Sequence, residues 1–402
     1  MFSAPSIALY IHIPFCETKC PYCDFNTYSQ IEPLMSGYVV ALIREIELWG
    51  DLLNHPTVRT VFFGGGTPSY LPSQDISQIM QSANSAFKIE TEAEVTLESN
   101  PGDFTSDKLT KYLESGINRL SIGVQTFDDQ LLGVLGRRHT AQDAMDAYRM
   151  ARDAGFDNIS IDLMYGLPDQ TLEGWKSTLK KALELQPPHI SMYCLTLEEG
   201  TPFEAWVRLG KMSDPDPDLA ADMYEATTDT MRDAGYRHYE ISNWALEGLE
   251  SRHNLIYWRT EPYIGVGPGA HSYLGDTRFA NLKQPREYIS RLTNAAGGKS
   301  DLDNANLDDL KMIIDLVPIV DTTEHIDRRL AMAETLMMGL RLDDGISIPD
   351  FNARFNQTPT EAYESIIADL TNLGLLKTSN DRLLLTPRGR ILGNEVFSRF
   401  FE

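Results

Sequence analysis

Three cysteines fall within eight residues near the start of the chain: Cys16, Cys20 and Cys23, spaced Cys-x3-Cys-x2-Cys. Thiolates are good ligands for iron, and short spacers let one loop place several sulfurs around one iron–sulfur cluster. Three sulfurs hold three irons of a [4Fe–4S] cube and leave the fourth iron open to a small molecule. The same residues also suit half of a tetrahedral zinc site, completed by Cys194 or a histidine. A disulfide framework fits poorly, because the chain has only four cysteines and its first residues do not resemble a secretory leader. Spacing alone leaves iron–sulfur and zinc both open.

Other residues that can do chemistry are spread along the first half of the chain. Gly64-Gly65-Gly66-Thr67-Pro68 follows an apolar run. Glycines let backbone approach a ligand closely and reach positive φ, although such a run is also an ordinary tight turn. Glu98, Gln125, Arg137 and Asp162 are polar residues at or near the ends of apolar runs, where polar side chains commonly do no more than bond loops. Cys194 lies inside an apolar run and reads as a small buried core residue.

The elements that must position these groups alternate regularly. Ile7–Ile13 reads as a strand, followed by a helix over 36–53 with Val39, Leu42, Ile43 and Ile46 at helical spacing. Further strands are expected at 60–63, 94–97, 119–124, 158–163 and 189–195, with helices between them. Thr105 or Ser106 caps one helix, and Thr140 and Gly155 bracket another. Six alternations imply parallel strands with crossover helices, in a doubly wound sheet or a barrel. The cysteines, the glycine run, Glu98, Gln125 and Asp162 all sit at or just beyond strand ends, where parallel α/β architectures carry their sites.

Beyond Thr196 the pattern breaks. The acidic stretch 213–218 opens a helix over 219–235, and short aromatic, glycine-rich pieces follow at 240–245, 253–258 and 263–274. Segments 294–301 and 321–325 read as polar linkers. The last part shows helices at 328–340, 348–355 and 359–373, then a hairpin of 375–377 and 382–386. This is a winged-helix-like outline. Its helices are not notably basic, which favours an accessory or packing role over reading DNA.

Taken together, the cysteine loop directly after a strand and the glycine motif one strand later resemble the radical S-adenosylmethionine (SAM) enzymes. The flanks, Tyr10-Ile-His-Ile-Pro-Phe-Cys16 and Cys23-Asp-Phe-Asn, resemble the oxygen-independent coproporphyrinogen III oxidase group. The resemblance implies an open (β/α)6 partial barrel and a [4Fe–4S] cluster on Cys16, Cys20 and Cys23. It further implies SAM contacts from Tyr10, Tyr22, Gly65, Gly66, Thr67, Glu98, Gln125, Arg137 and Asp162. A reduced cluster then passes an electron to the SAM sulfonium, with a flavodoxin- or ferredoxin-like protein as donor.

Two departures point within the group. The oxidases continue Cys-x-Cys after the third ligand, where this chain has Phe25, and they carry a long extension where only nine residues precede Tyr10. Both match the haem chaperone branch (HemW-type). His253-Asn254-Leu255-Ile256-Tyr257-Trp258 resembles that branch's HNxxYW motif, which is linked to haem. Imidazole is a common haem ligand, and Tyr and Trp pack well on a macrocycle. This implies haem contacts from His253, Asn254, Tyr257 and Trp258, with His271 a weaker candidate. The resulting outline is a core at 1–200, a haem-site region and linker packed on it at 201–327, and the winged-helix-like domain at 328–402. The function implied is transfer of haem to acceptor proteins. The alternatives are oxidative decarboxylation of coproporphyrinogen III, and a regulatory protein with a structural metal.

Composition limits the rest. With 35 basic against 58 acidic residues the net charge is −23, which excludes broad nucleic-acid binding. No run approaches the length of a membrane span, and Met1 to Ser6 is too short and uncharged for a targeting peptide. The expected location is the cytoplasm, as monomer or homodimer, with peripheral membrane contact left open.

Overall fold

The computed structural model describes residues 6–294 and 309–401. It divides into two compact units, Met1–Ala226 with Pro262–Glu324 and Thr227–Glu261 with His325–Glu402.

The first unit is built on six parallel strands: β1 (Ile7–Ile13), β2 (Thr57–Gly65), β3 (Lys88–Ser99), β4 (Arg119–Gln125), β5 (Asn158–Tyr165) and β6 (His189–Cys194). Each pairs with the next in parallel. Helices Met35–Leu52, Ser73–Ala86, Ser106–Glu114, Ala141–Ala154 and Leu172–Glu184 make the crossovers. Their ends follow the local chemistry: Thr105 accepts from Lys108 N. Thr140 and Asp143 form a capping box, and Gly155 closes that helix at φ 108°. The expected α/β partial barrel is therefore present. β3 begins six residues before the expected 94–97, because its first part is exposed and polar and carries no apolar signal.

Tyr263–Val266 adds a further parallel strand beside β1, which patterning marks only as a glycine-rich piece. The antiparallel pair His271–Leu274 and Thr277–Asn281 continues the sheet. Glycine is required at 265, where a Cβ would stand 2.1 Å from His271 O. Segment 321–325, expected as a linker, belongs to the edge strand Val320–His325. Its residues Asp321 to His325 are exposed, so no alternation betrays it. Of the other expected linker, 295–301 lies outside the described residues.

The strand extension is fastened to the first helix by a buried carboxyl. Glu45 accepts from Gly267 N at 2.8 Å, from Asn281 Nδ2 at 2.7 Å and from the Tyr288 hydroxyl. Burial pushes its pKa up to about 7. A folded pKa above the unfolded one means that stability from this group is complete below the unfolded value and is lost as pH rises to about 7. Urea unfolding is expected to show wild type losing roughly 3 kcal/mol relative to Glu45→Gln between pH 4.5 and pH 8. Parallel curves for the two proteins would refute this.

The second unit holds helices Arg328–Gly339, Ile348–Phe355 and Glu364–Asn372 and a three-stranded sheet ordered Ile346–Ser347, Arg382–Leu385, Leu376–Ser379. Asn380 and Asp381 turn the hairpin at φ 49° and 57°, the two-residue turn that fits strand twist. Met332, Leu336, Phe351, Ile367, Leu383 and Phe397 share its core. The expected region 201–327 is not one piece, since 227–261 groups with the tail. The reason is helix Arg252–Trp258, which buries His253 and Ile256 and packs on Arg328–Gly339. Among the described residues, no helix is long and apolar enough to cross a membrane.

Candidate functional site

The cysteine loop leaves β1 at Pro14 and is zipped to the end of β2. Gly66 N donates to Ile13 O at 2.7 Å, and Thr67 N to Phe15 O at 2.8 Å. A Cβ at Gly66 would stand 2.7 Å from Phe15 O and 3.1 Å from Cys16 Sγ. Glycine is therefore what lets backbone pass under the first thiol. Thr67 Oγ1 donates to Cys16 Sγ at 3.5 Å, and Arg137 Nη1 to Cys20 Sγ at 3.6 Å. Cys23 Sγ is 4.0 Å from Thr27 Oγ1. Burial pushes the Cys16 and Cys23 thiols up, and the neighbouring cysteines push them further. Among the described residues, no three His, Cys, Asp or Glu side chains gather tightly enough for a single metal ion. Three partly buried thiols with hydrogen-bond donors already on two of the sulfurs fit a cluster's charge and its need for ligands along one loop.

Arg137 joins this loop to the strands. Its Nη2 donates to Asn100 Oδ1 at 2.6 Å and to Gly123 O at 2.7 Å, while its buried Nε has no partner. Gln125 lies beside it at the end of β4, in a left-handed conformation (φ 67°) and at an irregularity in the β4–β5 register. That bulge turns the side chain off the strand's alternation. Tyr22 packs edge-on against Phe203, ring centroids 5.9 Å apart, beside Cys20.

The inner face of the sheet continues from the loop. Register places Glu98, Ser121, Ser160 and His189 in one row and Gly123, Asp162 and Ser191 in the next. Glu98 Oε2 accepts from Gly65 N at 3.2 Å. Burial first, and then Asp162, push Glu98 up to about 8. Asp162 accepts from Ser121 Oγ at 3.0 and 2.9 Å and from Ser160 Oγ at 3.3 Å, and burial raises it too. Tyr10 OH is 3.0 Å from His12 Nδ1, and His12 Nε2 is 3.0 Å from Asn26 O. Because the carbonyl only accepts, Nε2 carries the proton and Nδ1 accepts from Tyr10. Burial holds His12 down to about 4, so its ring is neutral.

The structure thus gathers Cys16, Cys20, Cys23, Tyr10, Tyr22, Gly65, Gly66, Thr67, Glu98, Gln125, Arg137 and Asp162 in the first unit. Sequence reasoning missed Ser121, Ser160, Ser191, His189 and His12. Their signal was small or polar residues at every second position of otherwise apolar strands. Cys194, expected in the core, is exposed at the last position of β6, where it still pairs with Tyr165.

His253, Asn254, Tyr257 and Trp258 lie on the short helix of the second unit. His253 is 1% exposed, and its Nε2 is 2.8 Å from the Tyr257 hydroxyl. Asn254 N is capped by Ser251 Oγ at 3.4 Å. Arg341 lies over Trp258, 5.3 Å from the ring centroid, and the buried Trp258 Nε1 has no partner.

Comparison with known proteins adds the following. Residues 10–182 match the radical SAM superfamily model, and residues 326–392 match the HemN C-terminal domain. The chain is 37% identical over 392 residues to the heme chaperone HemW of Bacillus subtilis, covering 97% of this chain and 98% of that one. It is 40% identical over 294 residues to the mitochondrial radical S-adenosyl methionine domain-containing protein 1 of Mus musculus, covering 71% and 66% respectively. The structure of coproporphyrinogen III oxidase (HemN) from Escherichia coli superposes with a TM-score of 0.81 at 23% identity, over 99% of this chain and 90% of that one. That last likeness is one of fold.

Proposed function

We propose, for a chain that belongs to the HemW-type haem chaperone family of the radical SAM superfamily, that it binds a [4Fe–4S] cluster, SAM and haem and passes the haem to acceptor proteins. The observation that carries this reading is that the likeness to haem chaperones runs through both units, over 97% of the chain. Phe25 supports it against the oxidase alternative: this residue, 64% exposed, stands where the oxidases have another cysteine.

Cys16, Cys20 and Cys23 would hold the cluster, whose chemistry is to supply one electron to a bound sulfonium. The residues around it bind and orient. Thr67 and Arg137 donate to the sulfurs and lower the cost of their negative charge. The unpaired Nε of Arg137 suits a carboxylate such as that of SAM. Glu98 and Asp162 offer carboxyl groups to a cationic amino acid and a ribose. Tyr10 and the neutral His12 close the inner wall behind them.

An anaerobic titration of the cluster-reconstituted full chain with ferric haem, followed by absorbance, tests the reading. Saturation near one haem per chain is expected, with no SAM-dependent decarboxylation of coproporphyrinogen III. The absence of saturable binding would refute the carrier function.

A further inference from the structure

A haem carrier must offer iron a lone pair that haem can reach. The chain has eight histidines. His12, His139, His189 and His253 are each at most 5% exposed, and His253 is engaged by Tyr257 besides. His238 lies flat on Trp244, ring centroids 4.2 Å apart, with Nδ1 2.9 Å from Arg390. His55 Nδ1 meets Ala86 O at 2.8 Å. His325 stands on an edge strand with Asp321 and Glu324, a poor setting for an anionic ligand.

His271 differs on each count. It is exposed, and among the described residues its ring makes no hydrogen bond. It opens the strand His271–Leu274, whose Ser272 and Leu274 are buried, so His271 and Tyr273 share the opposite face. Across the ladder His271 faces Ala280, Tyr273 faces Arg278, and Tyr273 also faces Tyr263. The small Ala280 leaves room beside the imidazole. Lys283 follows on the same segment and is exposed. Partial burial, then the charges of Lys283 and Arg278, disfavour protonation of the His271 ring, which leaves a nitrogen lone pair free at neutral pH. Arg278 is 3.1 Å from Glu324, but a guanidinium has five donors and can take a second carboxylate. The face is tied to the cysteine loop, because Asn26 Nδ2 donates to Lys283 O at 3.0 Å and to Pro268 O at 2.9 Å.

We propose that this strand face is the haem seat: His271 ligates the iron, Tyr263 and Tyr273 flank the macrocycle, and Arg278 and Lys283 receive the propionates. The assignment rests on the carrier reading above and moves the iron ligand from His253 to His271.

The test is the anaerobic titration of the full chain with ferric haem, run on wild type, His253→Ala, His271→Ala and the double variant Arg278→Ala with Lys283→Ala. His271→Ala is expected to shift the Soret band and weaken binding by at least about tenfold, with added imidazole restoring the band. His253→Ala is expected to keep the wild-type Soret position. The double variant is expected to weaken haem but not haem dimethyl ester, whose propionates are neutral. Wild-type binding with band and affinity unchanged in His271→Ala would overturn the assignment alone. No saturable binding by wild type would overturn the carrier reading and the seat with it. Iron and SAM loading, measured on each variant, report that the first unit is intact.

Discussion

A Gly66→Val protein is expected to fold and yet hold almost no iron. The new side chain would enter a space bounded by Phe15 O, Ile13 O and Cys16 Sγ, all within 3.1 Å of its Cβ. Two of these are backbone atoms already hydrogen-bonded to residues 66 and 67, so they yield only by unzipping the start of the cysteine loop. The strands beneath have their own ladder and core and do not depend on that zip. After anaerobic reconstitution, iron is expected to fall from about four to well under one per chain, with the thermal midpoint lowered only modestly. Gly133→Ala serves as the control, since a Cβ there meets nothing within 4 Å. Full iron and sulfide in Gly66→Val would show that the loop does not need the close approach.

The second large effect concerns Glu98. Burial and the neighbouring Asp162 raise its pKa to about 8, so in the ligand-free protein it is mostly protonated at neutral pH. A ligand bearing ammonium and sulfonium charges binds the carboxylate form. Its affinity must therefore rise with pH up to about 8, by as much as tenfold per unit below that value. Glu98→Gln cannot ionise and is expected to bind SAM roughly a hundredfold more weakly at pH 8, with a flat profile. Isothermal titration of the anaerobic, cluster-loaded protein at pH 6 and pH 8 measures both features. Equal slopes in wild type and variant would mean that another group sets the pH response.

What could be read from the sequence was local chemistry. The cysteine spacing, the glycine run and the cap at Thr140 with Gly155 are contiguous, and each has a direct geometric counterpart. Alternation implied parallel strands with crossover helices, the family resemblance implied their order in a partial barrel, and the winged-helix-like tail rested on three helices and an Asn-Asp turn. What stayed hidden depends on partners far apart in the chain. Ser121 means little until β4 lies beside β5 and its hydroxyl meets Asp162. The buried Glu45 sits in an ordinary helix until Gly267, Asn281 and Tyr288 close over it. Segment 227–261 reads as part of a haem-site region packed on the core, because its helix finds its packing partner only beyond residue 325. Cys194 shows the limit of composition rules: cysteine is usually buried, but this residue is exposed at the end of β6.

The fastening of Asn26 to Lys283 spans 257 residues of chain. At the usual pace of protein synthesis, that interval is about 10–50 s between the emergence of one partner and the other. The thiols leave the ribosome well before the backbone that completes their loop. For that time they stand as three unprotected nucleophiles, open to oxidants and to stray metal ions. A cluster held by this loop, as proposed above, is expected to enter only once Lys283 has emerged, so the yield of loaded protein should depend on how well the nascent chain is shielded from oxygen.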